Sequence, residues 1–271
     1  MKKFNLFFYA LTLIFISCGS QKNLGKYPEN SIINNGKLFA SFYHQQVAEY
    51  EALSLQAYNI ARFRLALAIA ENNSEKPLTI VTDIDETFLN NSYYIAYCAN
   101  RKIDFTLSSW EEWTGKGEAT PLSGALDFFK YAEKNGVQIF YITNRGEAER
   151  KGTELNLRRL GFPLQNENHL IFKTTEGSKE NRRQAIAKNY NIVLLLGDNL
   201  ADFSKDFDDK SSEERSKAVQ KNASEFGKKF IILPNFTYGD WEKATYAKDR
   251  KLPYKKRDAI ISPLIEENPK K

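Results

Sequence analysis

Short apolar runs and longer amphipathic stretches alternate along most of this 271-residue chain. Strand signals fall at Leu78–Val81, Val137–Ile142, His169–Phe172, Ile192–Leu196 and Phe230–Leu233. Between them, Ser123–Asn135, Glu147–Leu160, Ser178–Asn189 and Ser211–Phe226 read as helices, each long enough to cross between parallel strands. This β-α-β-α order predicts an α/β fold with an open, doubly wound, mostly parallel sheet. The run Ile192-Val193-Leu194-Leu195-Leu196 has no polar position, which suits a central strand buried on both faces. Upstream, Val47, Tyr50, Leu53, Ala57, Ile60 and Ala61 recur at helical spacings, as two helices or one long one, until the polar break at 71–77. We read 34–73 as a helical segment of a small domain, 74–271 as the α/β core, and 90–120 as a contribution to a cap.

The N-terminus carries a different pattern. Lys2 and Lys3 precede an apolar stretch, Phe4 to Ile16, that is short for a membrane span. It ends in Phe15-Ile16-Ser17-Cys18 and resembles a bacterial lipobox, with Phe where Leu is usual. The expectation is a signal peptide over 1–17, a lipidated Cys18 as membrane anchor, and a polar tether over 18–33. Cys98 would then be the only free thiol of the mature chain, leaving no disulfide framework.

Composition narrows the function classes. Apolar residues make up 42% of the chain, enough for a sizeable core. The 39 basic and 34 acidic residues leave a formal charge of +5, a mixed surface rather than the one-sided basic footprint of a nucleic-acid binder. Only His44 and His169 are available for histidine chemistry, which disfavours a multi-histidine zinc site.

The candidate chemistry gathers just after the strands, where an open α/β sheet has its ligand crevice. Asp83-Ile84-Asp85-Glu86-Thr87 follows the first strand. Carboxylates one residue apart start out on the same face of a strand and repel. A cation such as Mg²⁺, a phosphate site or a shared proton makes the pair tolerable; a plain strand-ending turn is the alternative. Thr143-Asn144-Arg145 follows the second strand, and taken alone is also a good helix cap. Lys179 opens a helix, and Gly197-Asp198-Asn199-Leu200-Ala201-Asp202 follows the Leu-rich strand. Acids to hold a hard cation, with donors for phosphate oxygens, are what phosphoryl transfer needs.

These residues, in this order, resemble the haloacid dehalogenase (HAD) superfamily, whose motifs are DxDx[TV], Thr, Lys and an acidic pair. The runs Val81–Ser92 and Val193–Phe203 are more closely similar to the signatures of bacterial class C acid phosphatases, a lipoprotein family of 5′-nucleotidases. Glu49–Leu53, Gln56–Asn59, Trp110–Trp113 and Leu233–Glu242 fit as well, so the resemblance spans about 37–245. Departures are Thr82 and Phe88; the stretch 201–224 aligns poorly. The resemblance implies Asp83 as nucleophile and Asp85 as general acid and base. It implies Mg²⁺ on Asp83, the Asp85 backbone carbonyl and Asp198. Thr143, Asn144 and Lys179 would hold phosphate, and Asp202 would orient Lys179 or a metal-bound water. Trp110 and Tyr238 match positions that stack a nucleobase, with a place in the aromatic core as the alternative. The partners implied are a small-molecule nucleotide and, through Cys18, a membrane. The expected location is the outer membrane, facing the periplasm or the surface, with a homodimer as one open assembly. A broad or sugar-phosphate phosphatase, or a non-catalytic surface binder, is the alternative.

Overall fold

The computed structural model describes residues 30–246 and 252–267, so the expected signal peptide, Cys18 and most of the tether lie outside the described residues. Two helices come first, α1 (Ile32–Gln46) and α2 (Ala48–Ala70). Next are β1 (Leu78–Thr82), β2 (Leu89–Asn90), α3 (Ser92–Asn100), α4 (Leu107–Lys116), β3 (Thr120–Pro121) and α5 (Ala125–Lys134). The remainder alternates: β4 (Gln138–Gly146), α6 (Arg150–Leu160), β5 (Leu170–Lys173), α7 (Glu180–Ala187), β6 (Asn191–Gly197), α8 (Ser212–Lys221), β7 (Phe230–Ile232), α9 (Asp240–Thr245) and α10 (Tyr254–Ile261).

Five strands form one parallel sheet in the order β5-β4-β1-β6-β7. Each occupies one of the expected apolar runs. Alternation along them feeds two cores. Ile80, Ile139, Tyr141, Leu194 and Leu196 pack on one side, with Tyr58, Leu65, Phe128 and Phe129 from α2 and α5. Val81, Phe140, Ile142 and Leu195 pack on the other, with Ile186, Phe203 and Phe207. Central β1 therefore delivers Asp83 to the middle of the carboxyl edge, where connections leave to both sides.

The region 34–73 does not behave as one segment of a small domain. Tyr50, Ala57, Tyr58, Ala61 and Leu65 of α2 belong to the main core, whereas α1 packs on α3 and α10. The chain turns between α1 and α2 at Val47, whose backbone is extended. The excursion 90–120 starts and ends at one small antiparallel ladder, Leu89 opposite Pro121 and Asn90 opposite Thr120. It carries α3 and α4. Thr106 caps α4 by accepting from the Ser109 backbone N–H at 3.2 Å, and Gly117 ends it in the left-handed conformation. Helix α4 crosses α6 at Gly152, where a Cβ would stand 2.3 Å from the Thr114 carbonyl oxygen. The expected helix Ser211–Phe226 stops at Lys221, because the Asn222 side chain bonds back to the Ala218 carbonyl and a 3₁₀ turn follows. Among the described residues no helix is long and apolar enough to cross a membrane.

Candidate active site

The strand ladder continues one residue past β1. The Asp83 backbone N–H donates to the Leu196 carbonyl at 2.9 Å, which ties the start of the acidic turn to β6. Asp83 is buried, and its Oδ1 meets the Lys179 ammonium. Lys179 directly precedes α7, and its ammonium also reaches Asp202 Oδ1 at 2.7 Å. The second Asp202 oxygen accepts the Asn199 backbone N–H at 3.0 Å. This fold-back brings Asp202 against Gly197, where a Cβ would lie 2.4 Å from the carboxylate. Only glycine fits at that position.

A second group bridges the two strand ends. The Thr87 hydroxyl lies 3.3 Å from Asp83 Oδ2 and 3.4 Å from Asp198 Oδ1. Asn235 holds the other Asp198 oxygen at 2.8 Å. One oxygen each from Asp83, Asp198 and Asp202 falls within 4.8 Å of the others. No histidine or cysteine shares this group, so it is an all-oxygen set suited to a hard divalent cation. All three carboxylates have protein partners, but Asp83 and Asp198 each have one oxygen held only by the long 3.3 and 3.4 Å contacts to Thr87, whereas Asp202 is held at 2.7 and 3.0 Å, which leaves Asp83 and Asp198 as the more available ligands.

The electrostatics agree with an incoming cation. Burial raises the affinity of Asp83 for a proton, and Lys179 only partly offsets this. Burial, with Asp202 and Asp83 nearby, pushes Asp198 far above the ordinary carboxylate range. Lys179 goes the opposite way to most buried lysines. Burial alone would lower it, but Asp202 and Asp83 together raise it above its usual value. A divalent ion would relieve the carboxylate crowding that Lys179 leaves unbalanced.

Asp85 faces a different set of partners. Arg145 grips both of its oxygens, and Asn91 Nδ2 donates to Oδ1 at 2.9 Å. Directly after Asp85, Glu86 takes a left-handed backbone, φ 55°, and tucks its carboxylate inward. It accepts the Asn91 backbone N–H at 2.7 Å and the Tyr238 hydroxyl. Burial, reinforced by Asp85, lifts Glu86 to about 8.

The phosphate-binding candidates divide. Thr143 is fully buried, and its hydroxyl accepts the Arg145 backbone N–H at 3.0 Å. Asn144 is exposed, and its Oδ1 is held by Arg182 at 2.8 Å. Arg182 also donates to the Thr143 carbonyl at 2.6 Å, so it fastens this turn to the start of α7. Trp110 and Tyr238 do come together, in a cluster with Tyr94, Ile95 and Cys98. They differ in exposure. Trp110 is only 9% exposed and packs edge-to-face on Tyr94 at 5.1 Å, whereas Tyr238 is half-buried.

Thr87, Arg145, Arg182, Asn91 and Asn235 are site residues to which sequence reasoning assigned no role. Each stands inside a run already singled out. A signal was present for Thr87, the last position of DxDxT. The others are identified only by their partners in space.

A parallel α/β sheet with DxDxT after its central strand, and a lysine and acidic pair after neighbouring elements, defines a phosphatase of the HAD fold. The profile of the HAD superfamily, subfamily IIIB (acid phosphatase), matches residues 19–241. The chain belongs to that family of phosphoric monoester hydrolases. It is similar to the class C acid phosphatase from Bacillus anthracis in two solved structures, one of them with tungstate bound. Each comparison has 37% sequence identity and a TM-score of 0.84, covering 88% of this chain and 99% of that one. The stem 28 kDa and 31 kDa glycoproteins of Glycine max are each 26% identical over 136 residues, 46% of this chain. The match spans about half the length of these curated plant relatives, 52% and 45%.

Proposed function

We propose that this chain is a Mg²⁺-dependent phosphomonoesterase acting on nucleoside monophosphates. The observation that carries the reading is the buried junction of Asp83, Lys179, Thr87 and Asp198 at the carboxyl edge of the sheet. An oxygen of Asp83 attacks phosphorus and the bond to the leaving oxygen breaks. Asp85, which enters this step protonated, gives that oxygen its proton. Asp85 then takes a proton from water, which attacks the aspartyl-phosphate and releases phosphate and free Asp83. Lys179, with Asn144 at the rim, holds the phosphoryl charge, and Arg182 fixes the turn that presents Asn144. Mg²⁺ on Asp83 and Asp198 would neutralise negative charge and keep the carboxylates ionised. Tungstate in the Bacillus anthracis relative supports an oxyanion site in this family.

Substrate choice rests on Tyr238, whose half-buried ring is tied down through its hydroxyl to Glu86. A second reading, a phosphatase broad in its leaving group, is favoured by the burial of Trp110, which leaves that ring little free face for a base. A panel of AMP, glucose 6-phosphate, phosphotyrosine and p-nitrophenyl phosphate, with and without EDTA, separates the readings. We expect AMP to be preferred, EDTA to abolish turnover, and Mg²⁺ to restore it. Asp83→Asn should lose activity by about 10⁴-fold or more at unchanged fold. Tyr238→Ala should lose about 5- to 150-fold in kcat/KM on AMP, from about 1–3 kcal/mol of stacking, and less on p-nitrophenyl phosphate. Equal rates on all esters would leave the broad reading, and full activity in EDTA would remove the metal.

The location is a proposal on the same footing. A lipid on Cys18 would hold the enzyme at the outer membrane, and mass spectrometry of the mature protein should show an acylated N-terminal cysteine. A free Cys18 thiol on protein released into the medium would overturn it.

A further inference from the structure

The two aspartates of the acidic turn are held by separate sets of groups. Lys179 and Thr87 hold Asp83. Asp85 is held by Arg145, which arrives from β4. The guanidinium is nearly closed to solvent, 2% exposed for the whole residue. Its Nε lies 3.2 and 3.1 Å from the two Asp85 oxygens, and its Nη2 lies 2.6 Å from Oδ1. The remaining arm, Nη1, donates to Thr153 Oγ1 at 2.9 Å on α6. That hydroxyl in turn donates to the Glu149 carbonyl at 2.8 Å, so the arginine's anchor is itself anchored. On the other side, Asn91 Nδ2 reaches Asp85 Oδ1, and the Trp113 indole N–H holds Asn91 Oδ1 at 2.8 Å. The Trp110 ring lies 5.9 Å from the guanidinium carbon.

Every atom that touches the Asp85 carboxylate is therefore fixed by a further partner. Such a chain of constraints fixes direction more than it adds affinity. A fork of two N–H groups on one carboxylate sets the plane of that carboxylate, which an ammonium cannot do. We propose that Arg145 is a positioning residue: braced by Thr153, it aims Asp85 at the leaving oxygen, so its importance grows with that oxygen's need for a proton. The inference rests on the reading of Asp85 as proton donor. A phenolate with a strongly withdrawing substituent leaves without much protonation. A basic phenolate, or the alkoxide of a nucleotide ester, does not. Misaiming Asp85 costs little in the first case and much in the second.

The experiment is a series of substituted phenyl phosphates of graded leaving-group basicity, assayed on the full chain with Mg²⁺. Wild type, Arg145→Lys, Arg145→Met, Thr153→Val and Asp85→Asn are compared, with inhibition by inorganic phosphate measured in parallel. For Arg145→Lys we expect kcat/KM to fall about 10²-fold on the most basic phenol, the loss typical of a 1 Å misplacement. The loss on p-nitrophenyl phosphate should stay within about 10-fold, since the proton transfer worth 10²–10⁴ matters less there. Thr153→Val should steepen the dependence in the same direction by a smaller amount, and phosphate inhibition should not change. A purely structural role would lower all substrates in parallel, and that result overturns the proposal. So does a matching loss of phosphate inhibition, which would make the guanidinium a phosphate ligand. If Arg145→Met fails to fold, Thr153→Val and Arg145→Lys decide, and wild-type slopes in both overturn it. Asp85→Asn separates the two levels. If it leaves the slope unchanged, the proton-donor reading falls and the positioning role with it. If it steepens the slope while the Arg145 variants do not, only the positioning role falls.

Discussion

Burial holds the imidazole of His44 down to about 4. The ring stacks on Tyr50 at 4.1 Å and faces Phe236, with no hydrogen-bond partner at Nδ1. An unfolded chain takes up that proton near pH 6.5, and the folded one resists until about 4. The folded state thus loses stability as pH falls from about 6.5 toward 4, by on the order of 2–3 kcal/mol. His44→Phe keeps a ring for the stack and removes the titration. Its denaturant midpoint should change less between pH 7 and 4.5 than that of wild type, and equal changes would show that His44 is not responsible. At this scale the sequence revealed chemistry better than partnership. Asp83, Asp85, Lys179 and Asp198 stood out jointly, by their order after successive strands and at a helix start, since each alone has an ordinary structural use. The grip of Arg145 on Asp85 was not legible, because the two stand 60 positions apart and only the sheet brings them together. For Trp110 the sequence left base stacking and core packing both open, and its burial favours the second.

The element most exposed to a small change is the crossing of α4 and α6. Gly152 has the Thr114 carbonyl and the Gly115 Cα where a side chain would go, at 2.3 and 2.6 Å. These are backbone atoms and cannot rotate aside. Gly152→Ala should push the helices apart and cost about 1–3 kcal/mol or somewhat more. A melting temperature within a degree of wild type would show that the crossing has slack. Trp113 rides on α4 and holds Asn91 beside Asp85, so activity should suffer with stability. The parallel strands could be read directly from their apolar runs. The helices of 90–120 could not: α3 and α4 are short, and their aromatic clusters lack clean periodicity. The turn at Val47 was also hidden, since no glycine or proline marks it. That α2 joins the main core is a matter of tertiary packing, invisible to a helical repeat.

For the molecule as a whole, the crowded acids have a cost that depends on metal. Burial raises Asp83, Glu86 and Asp198, so the folded, cation-free chain holds protons that the unfolded chain would release. Their contribution is present at low pH and is lost as pH rises through the folded values, about 8 for Glu86. The cation-free protein should therefore have a lower urea midpoint at pH 8.5 than at pH 7.5, a window above the titration of His44. Mg²⁺ should raise the midpoint more at the higher pH, and an equal effect at both would argue against carboxylate crowding. The net charge of +5 gave no hint of this, because it averages a local excess of acid over a mixed surface.

The separation of the site's parts along the chain also sets when activity can begin. Asp83 and Lys179 are 96 positions apart, and Thr87 and Asp198 are 111 apart. No early hairpin or local helix pair contains both halves of either contact. Contacts this distant form late, after the loops between them have closed. A nascent chain, or one still threading through a membrane, carries all of these residues and none of the geometry. Hydrolysis is thereby confined in time: substrate shared with an unfinished copy is safe from it, and the first turnover marks the completed sheet.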